Sequence, residues 1–539
     1  MFRILMQFLK SPPIVWWCYA ALLVVLLCFS TFHALDPKHL MFAEDQALSF
    51  AVGSKVAQGS LVLLGPPSHI GGRHLGPWMY YLVGGALRLS GGDVMTANKL
   101  FSALSVFGFL VAAAMSALGC VGRSRYVAVL AALASVTIGS YMDVSRVFWH
   151  SNLLFIPGLA VLGSGYLLLS FGWAFAALYF FVASLTLQLH FSSLPLLLAF
   201  PLLWCGRRQS TETLTNAWAR ALMAGRVKIL CISLGLLSWV PLLYFEAIYG
   251  GNLAQVAAGM HGEHAHAGLR EALLTIARFF VSFFAGGVGL GRGGIFIVLS
   301  VVLFSTALAL LWFVYRESTS RLRQFSWAVM LSLFFYALLL SRQEAPLYDY
   351  YLYALLPLPV LLSGVITAQA VALLRRSAVG LVAKTIAALF LVSLSAAYVR
   401  FALDKKTLPY QQTLHRVFTL GFARDVALAL KQDSERAPHM DGASILGFNA
   451  LKTMRDPIYF FMGEEFFPLM HYGERFKELG FQERAVGRQA YFVSCPKMDQ
   501  RSNRAVADSL RTEWDLGEVV DPSWCTSCRI CLMRRMSRR

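Results

Sequence analysis

The sequence predicts an all-α polytopic membrane bundle of about eleven transmembrane helices, followed by a soluble extracytoplasmic α/β domain at the C-terminus. Three observations carry this. The 539 residues are 57% hydrophobic and only 14% charged, with a mean hydropathy of +0.59, a balance that makes lipid the main solvent. Apolar runs of about 20 residues, each long enough to cross a hydrocarbon core of about 30 Å as a helix, recur from Ile14 to Arg400. After Arg400 the texture changes: residues 401–539 carry dispersed Lys, Arg, Asp and Glu and no further run of spanning length.

The spans are expected at 14–34, 97–119, 126–142, 152–170, 172–187, 190–206, 228–247, 294–315, 324–341, 351–373 and 381–400. The first follows a basic start, Arg3 and Lys10, without a small-residue cleavage site, and reads as a retained helix. Two further apolar stretches, Leu75 to Leu89 and Ala272 to Leu290, are read as helices lying on the outer face. Loop charge decides this. If neither crosses, the inner loops hold Arg123 and Arg125, then Arg207, Arg208, Arg220, Arg226 and Lys228, then Arg316, Arg321 and Arg323, then Arg375 and Arg376, as the positive-inside bias requires. If both cross, the basic residues from Arg123 to Lys228 move outside. The same bias accounts for the net charge of +18, so nucleic acid is not an expected partner.

This topology puts a loop from Asp36 to Asn98, another from Gly250 to Gly293 and residues 401–539 on one face, leaving short basic loops on the other. Such one-sided mass suits an enzyme with one lipid-borne and one aqueous substrate. A carrier needs access from both faces, and no inverted repeat of the transporter kind is visible.

The first outer loop carries the chemistry. It contains the adjacent acids Glu44 and Asp45, a Gly/Pro segment from Gly59 through Gly65-Pro66-Pro67, and then Arg73-His74-Leu75-Gly76-Pro77-Trp78-Met79-Tyr80-Tyr81. A hydroxyl acceptor needs a base within hydrogen-bond reach, which Glu44 or Asp45 supplies. A departing lipid phosphate needs cations, which Arg73 and His74 supply. The plain alternative is that the two acids only start an interfacial helix, where the dipole favours them.

In these residues the chain resembles the GT-C membrane glycosyltransferases, especially the protein O-mannosyltransferase and lipid A aminoarabinose transferase branch. Members have an acidic pair after the first helix, a small-residue and proline segment, and a basic residue ahead of a Pro-aromatic surface helix. Glu44-Asp45, Gly59, Arg73 or His74, and Pro77-Trp78-Met79-Tyr80-Tyr81 stand in that order here. The pair is Glu-Asp where the family usually shows Asp-Glu, which leaves open which carboxylate is the base. The resemblance covers about the first 400 residues, implying a GT-C-like catalytic domain over 1–400, and fades over 401–539.

The resemblance also implies an acidic or amide residue at the start of the fourth span. Asn152 stands there, and Asp143 is a nearby alternative. An amide cannot be a base, so Asn152 would orient substrate. Trp149 reads as an interfacial aromatic. The segment Ser341-Arg342-Gln343-Glu344, with Tyr348, Asp349, Tyr350 and Tyr351 after it, is implied to meet the lipid phosphate through Arg342, Tyr348 and Tyr350, or else to form an aromatic girdle. Gln188 and His190, between two apolar helices, are polar at membrane depth, where such residues line sites or face the bundle interior.

Metal ligation has one weak signal. His261, Glu263, His264 and His266 form a Gly-rich run whose spacing is poor for a metal, and a solvated loop is expected; no metal ligand is assigned. Cys18, Cys28 and Cys231 lie within spans and Cys120 and Cys205 near inner ends, where thiols act as small apolar groups. Cys495, Cys525, Cys528 and Cys531 fall in the outer region and suggest two disulfides in an oxidising compartment, or a tetrathiolate zinc site.

The resemblance implies an inverting hexosyl or pentosyl transfer from a polyprenyl-phosphate sugar to a glycan, lipid or protein of the cell envelope, on the outer face of the inner membrane. No redox cofactor is needed, and a divalent cation stays open. A flippase or other transporter and an O-antigen ligase or polymerase share the many-span architecture, but the first-loop acid pair stands against both.

Overall fold

The computed structural model describes residues 13–33, 44–66, 68, 72–120, 124–138, 148, 150–205, 225–261, 267–284, 294–317, 319–343, 347, 349–376, 379–404, 444–447, 489–494, 514–519 and 532–538. In chain order the helices are α1 Pro13–His33, α2 Glu44–Ala57, α3 Trp78–Leu89, α4 Val94–Ser116, α5 Ser124–Ile138, α6 His150–Phe171, α7 Ala176–Leu189, α8 Leu194–Cys205, α9 Gly225–Ile248, α10 Asn252–His261, α11 Gly268–Phe284, α12 Gly294–Glu317, α13 Ser320–Ser341, α14 Pro357–Arg375 and α15 Leu381–Asp404.

Among the described residues, five helices (α4, α6, α9, α13 and α14) are long and apolar enough to cross a membrane. Shorter apolar helices occupy Trp17–Cys28, Ser124–Thr137, Ala176–Leu189, Phe191–Cys205 and Leu381–Ala396. Their outward faces fit a lipid solvent: Ile229, Leu230, Leu236, Leu237 and Leu243 of α9 are more than half exposed, a continuous apolar stripe that water would penalise.

Three expected spans begin later than the apolar run suggested, because 3₁₀ turns precede them. Gly172–Phe175 leads into α7, Phe191–Ser193 into α8 and Asp349–Leu355 into α14. Pro357 is the reason for the last boundary: it sits in the first turn of α14, where its missing N–H has no helical partner to lose. The two stretches expected not to cross form short helices. α3 has 12 residues, about 18 Å at 1.5 Å per residue, well under a bilayer core. α11 has 17 residues, about 25 Å, and carries Arg270, Glu271 and Arg278, the last two ion-paired at 3.0 Å.

The chain forms two compact units: Met1–Thr31, Leu61–Met79 and Phe101–Thr407 make one, and Phe32–Ser60, Tyr80–Leu100 and Leu408–Arg539 the other. Helix α14 is the buried centre of the first. It lies against α5 along small residues: Ser363 Oγ donates to Ser135 Oγ at 3.0 Å, and a Cβ on Gly364 would meet Ala128 O at 2.6 Å and Ser116 Cβ at 2.7 Å. Close approach through small side chains replaces the hydrophobic drive that lipid does not supply. On its other side Ile366, Ala370 and Leu373 pack with Leu303, Ala307 and Leu310 of α12 and Ala387, Phe390 and Leu394 of α15.

In the second unit, α2 crosses α3 at a glycine pair. A Cβ on Gly53 would meet Val83 Cγ1 at 2.5 Å, and one on Gly84 would meet Val56 Cγ1 at 2.8 Å and Gly53 O at 2.9 Å. The same unit holds four strands, β1 Ser444–Gly447, β2 Gln489–Ser494, β3 Trp514–Val519 and β4 Leu532–Arg538, in the order β1-β2-β4-β3. β1 and β2 are parallel, and the β2–β4 and β3–β4 pairs are antiparallel. The helical half of the expected α/β domain lies outside the described residues.

Candidate active site

A tight loop enters the first unit between residues 65 and 76. Gly65 N donates to His74 O at 3.0 Å and His74 N donates to Pro66 O at 2.9 Å, closing a small two-stranded clip. Glycine is required at both ends: a Cβ on Gly65 would meet Gly76 O at 2.6 Å and His74 Cβ at 2.9 Å, and one on Gly76 would meet Gln188 Cβ at 2.5 Å.

Gln188 is fully buried and ties this loop to two helices. Its main-chain O accepts from Gly76 N at 3.2 Å, its Oε1 accepts from Trp78 Nε1 at 2.9 Å, and its Nε2 donates to Ser238 Oγ at 2.6 Å. Gln188 is therefore a bundle-facing tie, one of the two roles open to it from sequence. Ser238 sits where α9 turns ahead of Pro241, and its Oγ donates to Gly235 O at 2.6 Å.

Arg73 is held by its backbone. Its N–H donates to Asn252 Oδ1 at 2.7 Å and its O accepts from Asn252 Nδ2 at 3.3 Å. Asn252, the first residue of α10, thus reads the Arg73 peptide as a strand partner would. The half-buried guanidinium donates to Gly65 O of its own loop at 3.5 Å.

His74, next in the chain, is buried and joins two other buried histidines, His150 and His190. Ring centroids are 4.6 Å apart for His74 and His190, 5.1 Å for His74 and His150, and 5.3 Å for the stacked His150 and His190. Each ring comes from a different element: the loop ahead of α3, the first turn of α6, and the end of α7. At the last, α7 stops because His190 is extended, and the turn is fixed by Ser192 N donating to His190 Nδ1 at 3.2 Å and Ser193 Oγ donating to His190 O at 2.8 Å.

Asn152 is buried in the same first turn of α6 as His150. Both that turn and Phe191–Ser193 pack against the 3₁₀ turn Asp349–Leu355, which carries Tyr350. The Tyr350 ring centroid is 6.4 Å from His190, and its hydroxyl donates to that of Tyr351 at 3.4 Å. Arg342 caps the end of α13, its N–H donating to Leu339 O at 3.1 Å, and its side chain is exposed. Of the residues expected from sequence, the structure thus brings the buried His74, Asn152 and His190 to one locus, with the half-buried Tyr350 at its edge and the Arg73 backbone beside it. His150 was missed: a single histidine before a span carries no signal by itself, and only the tertiary fold pairs it with positions 74 and 190.

Glu44 and Asp45 are the first two residues of α2; their side chains lie outside the described residues. So do Tyr348, Asp143, Arg146, Trp149, Glu344, Glu263, His264 and His266, and all four cysteines of the C-terminal region.

No family model and no curated protein sequence matches the chain. Solved structures do. ArnT from Cupriavidus metallidurans in the apo state superposes with a TM-score of 0.55 at 13% identity, over 96% of this chain and 97% of ArnT. The same protein bound to undecaprenyl phosphate gives 0.56 at 14%, with the same coverage. The chain has the ArnT fold.

A cavity of about 650 Å³ lies within this fold's first unit, lined almost wholly by apolar groups, among them Leu273, Ile276 and Phe280 of α11 and Leu303, Phe325 and Leu361 of the helices around it.

Proposed function

We propose that the chain is an integral-membrane glycosyltransferase that moves one sugar from a polyprenyl-phosphate donor to a cell-envelope acceptor on the outer face. The observation that carries this reading is the ArnT fold over nearly the whole chain, joined to a buried polar locus of His74, Asn152 and His190, with half-buried Tyr350 beside it, inside an otherwise apolar bundle. Polar residues at that depth need a function or a partner to offset their burial. The apolar cavity beside α11 supports a polyprenyl chain as one substrate, and ArnT itself has been solved with undecaprenyl phosphate.

In the proposed reaction an acceptor hydroxyl attacks the anomeric carbon. Glu44 or Asp45 takes the hydroxyl proton, the new glycosidic C–O bond forms, and the bond to phosphate breaks with its electron pair leaving on the phosphate. Inversion follows from a single displacement. The Arg73 guanidinium, with Arg342, Tyr348 and Tyr350, takes up the charge and hydrogen bonds of the leaving phosphate, and Asn152 orients the sugar. This reading keeps about eleven spans, with the Asp36–Asn98 loop and residues 401–539 on the extracytoplasmic side of the inner membrane, the latter as an α/β domain; the clustering of Lys and Arg in the other loops supports it. Mass spectrometry of envelope glycans and lipid A from a deletion strain tests this: one missing sugar mass supports it, and an unchanged envelope contradicts it.

A further inference from the structure

We propose that His74, His150 and His190 form a binding site for one divalent transition-metal ion of the zinc class, with three imidazole ligands and an open coordination position. The three residues each offer a ring nitrogen, and these atoms all lie within 4.8 Å of one another. All three residues are at least nine-tenths buried, at 4%, 7% and 5% exposure. Three imidazole donors at one point, drawn from the loop ahead of α3, from α6 and from the end of α7, make a ligand set suited to Zn, Cu, Fe or Ni.

The geometry needs only a small contraction. Zn–N bonds of about 2.0–2.1 Å in a tetrahedral site put ligand nitrogens roughly 3.4 Å apart, so a pair at the 4.8 Å limit closes by about 1.4 Å, which side-chain torsions supply. Ser192 N–H donates to His190 Nδ1 at 3.2 Å, the long end of the range, so ligation through that nitrogen displaces only a weak hydrogen bond. Three protein ligands and a vacant fourth place are the pattern of sites that bind water or an oxyanion. This site differs from the His261–His266 run that the sequence offered, and its existence does not depend on the sugar-transfer reaction.

The test uses the full chain in detergent, stripped with EDTA and titrated with Co(II). One equivalent per chain should bind, with the visible ligand-field bands of a low-coordinate nitrogen site, and added Zn(II) should bleach them. His150→Gln and His190→Gln should each lose that equivalent and those bands, while keeping the wild-type unfolding midpoint measured in EDTA. The triple change His261→Ala, His264→Ala, His266→Ala should retain both. The proposal is overturned if the wild-type chain takes up no equivalent, if both single variants keep the bands, or if the triple variant loses them.

Discussion

The rings of His74 and His190 lie 4.6 Å apart, centroid to centroid, although 116 positions separate them in the chain. What holds them together is Gln188, two residues before His190, which binds Gly76 through its backbone and Trp78 through its side chain. The loop that carries Arg73 and His74 is thereby pinned to the end of α7.

Gly76→Ala tests the pin. The new methyl would run into the Cβ and Cγ of Gln188, atoms next to a buried backbone that cannot swing aside, and overpacking of that kind costs about 1–3 kcal/mol. A lowered unfolding midpoint in detergent is expected, with Gly85→Ala, which meets nothing within 4 Å, as the unaffected control.

Arg73 separates scaffold from charge. Its backbone is held by Asn252 whatever the side chain is, so Arg73→Ala should leave the fold intact, weaken donor binding, and be partly relieved by excess lipid donor, with Arg73→Lys intermediate. Asn252→Ala should do the reverse. It strips two hydrogen bonds from the loop, each worth about 1 kcal/mol, and should lower the unfolding midpoint without a donor-specific defect. Parallel thermal scans and donor titrations distinguish the two.

Asp93 caps α4. Its Oδ2 accepts from Thr96 N at 2.8 Å and from Thr96 Oγ1 at 2.6 Å. Partial burial works to raise its pKa, but the Thr96 and Met95 hydrogen bonds and the nearby Lys99 outweigh it and hold the carboxyl below its ordinary value of 3.8. A depressed folded-state pKa means stability that is full above the unfolded value and fades as pH falls through the folded one. Asp93→Ala should therefore cost about 0.5–2 kcal/mol at neutral pH, as lost caps do, and the gap from wild type should shrink below about pH 4. Unfolding midpoints across pH check it.

Part of the bundle was legible because lipid imposes one rule, about 20 apolar residues per crossing, and among the described residues α4, α6, α9, α13 and α14 obey it. Boundaries were less legible where 3₁₀ turns such as Asp349–Leu355 share the composition of the helix they precede. α2 was legible only as an alternative: Glu44 and Asp45 do begin a helix, as acids favoured by its dipole would, and it ends at Gly59, whose φ of 100° suits a terminating glycine. His190 was suspected from polarity at depth, and His74 as half of the basic Arg73-His74 pair. Their union with His150 was not, since nothing in a local pattern reports which of twelve histidines the fold will gather.

The measurement that tests the account most directly compares a carboxylate with its amide. Glu44→Gln and Asp45→Asn keep size and most hydrogen bonds but remove the basic oxygen, and loss of a general base costs about 10²- to 10⁴-fold in rate. With purified protein, a polyprenyl-phosphate sugar and envelope acceptor, at least one of the two should unfold at the wild-type midpoint yet lose transfer by that factor. Glu246→Gln, whose half-buried carboxylate accepts from Leu253 N, should keep most activity. Transfer at wild-type rates by both Glu44→Gln and Asp45→Asn would contradict the proposed mechanism.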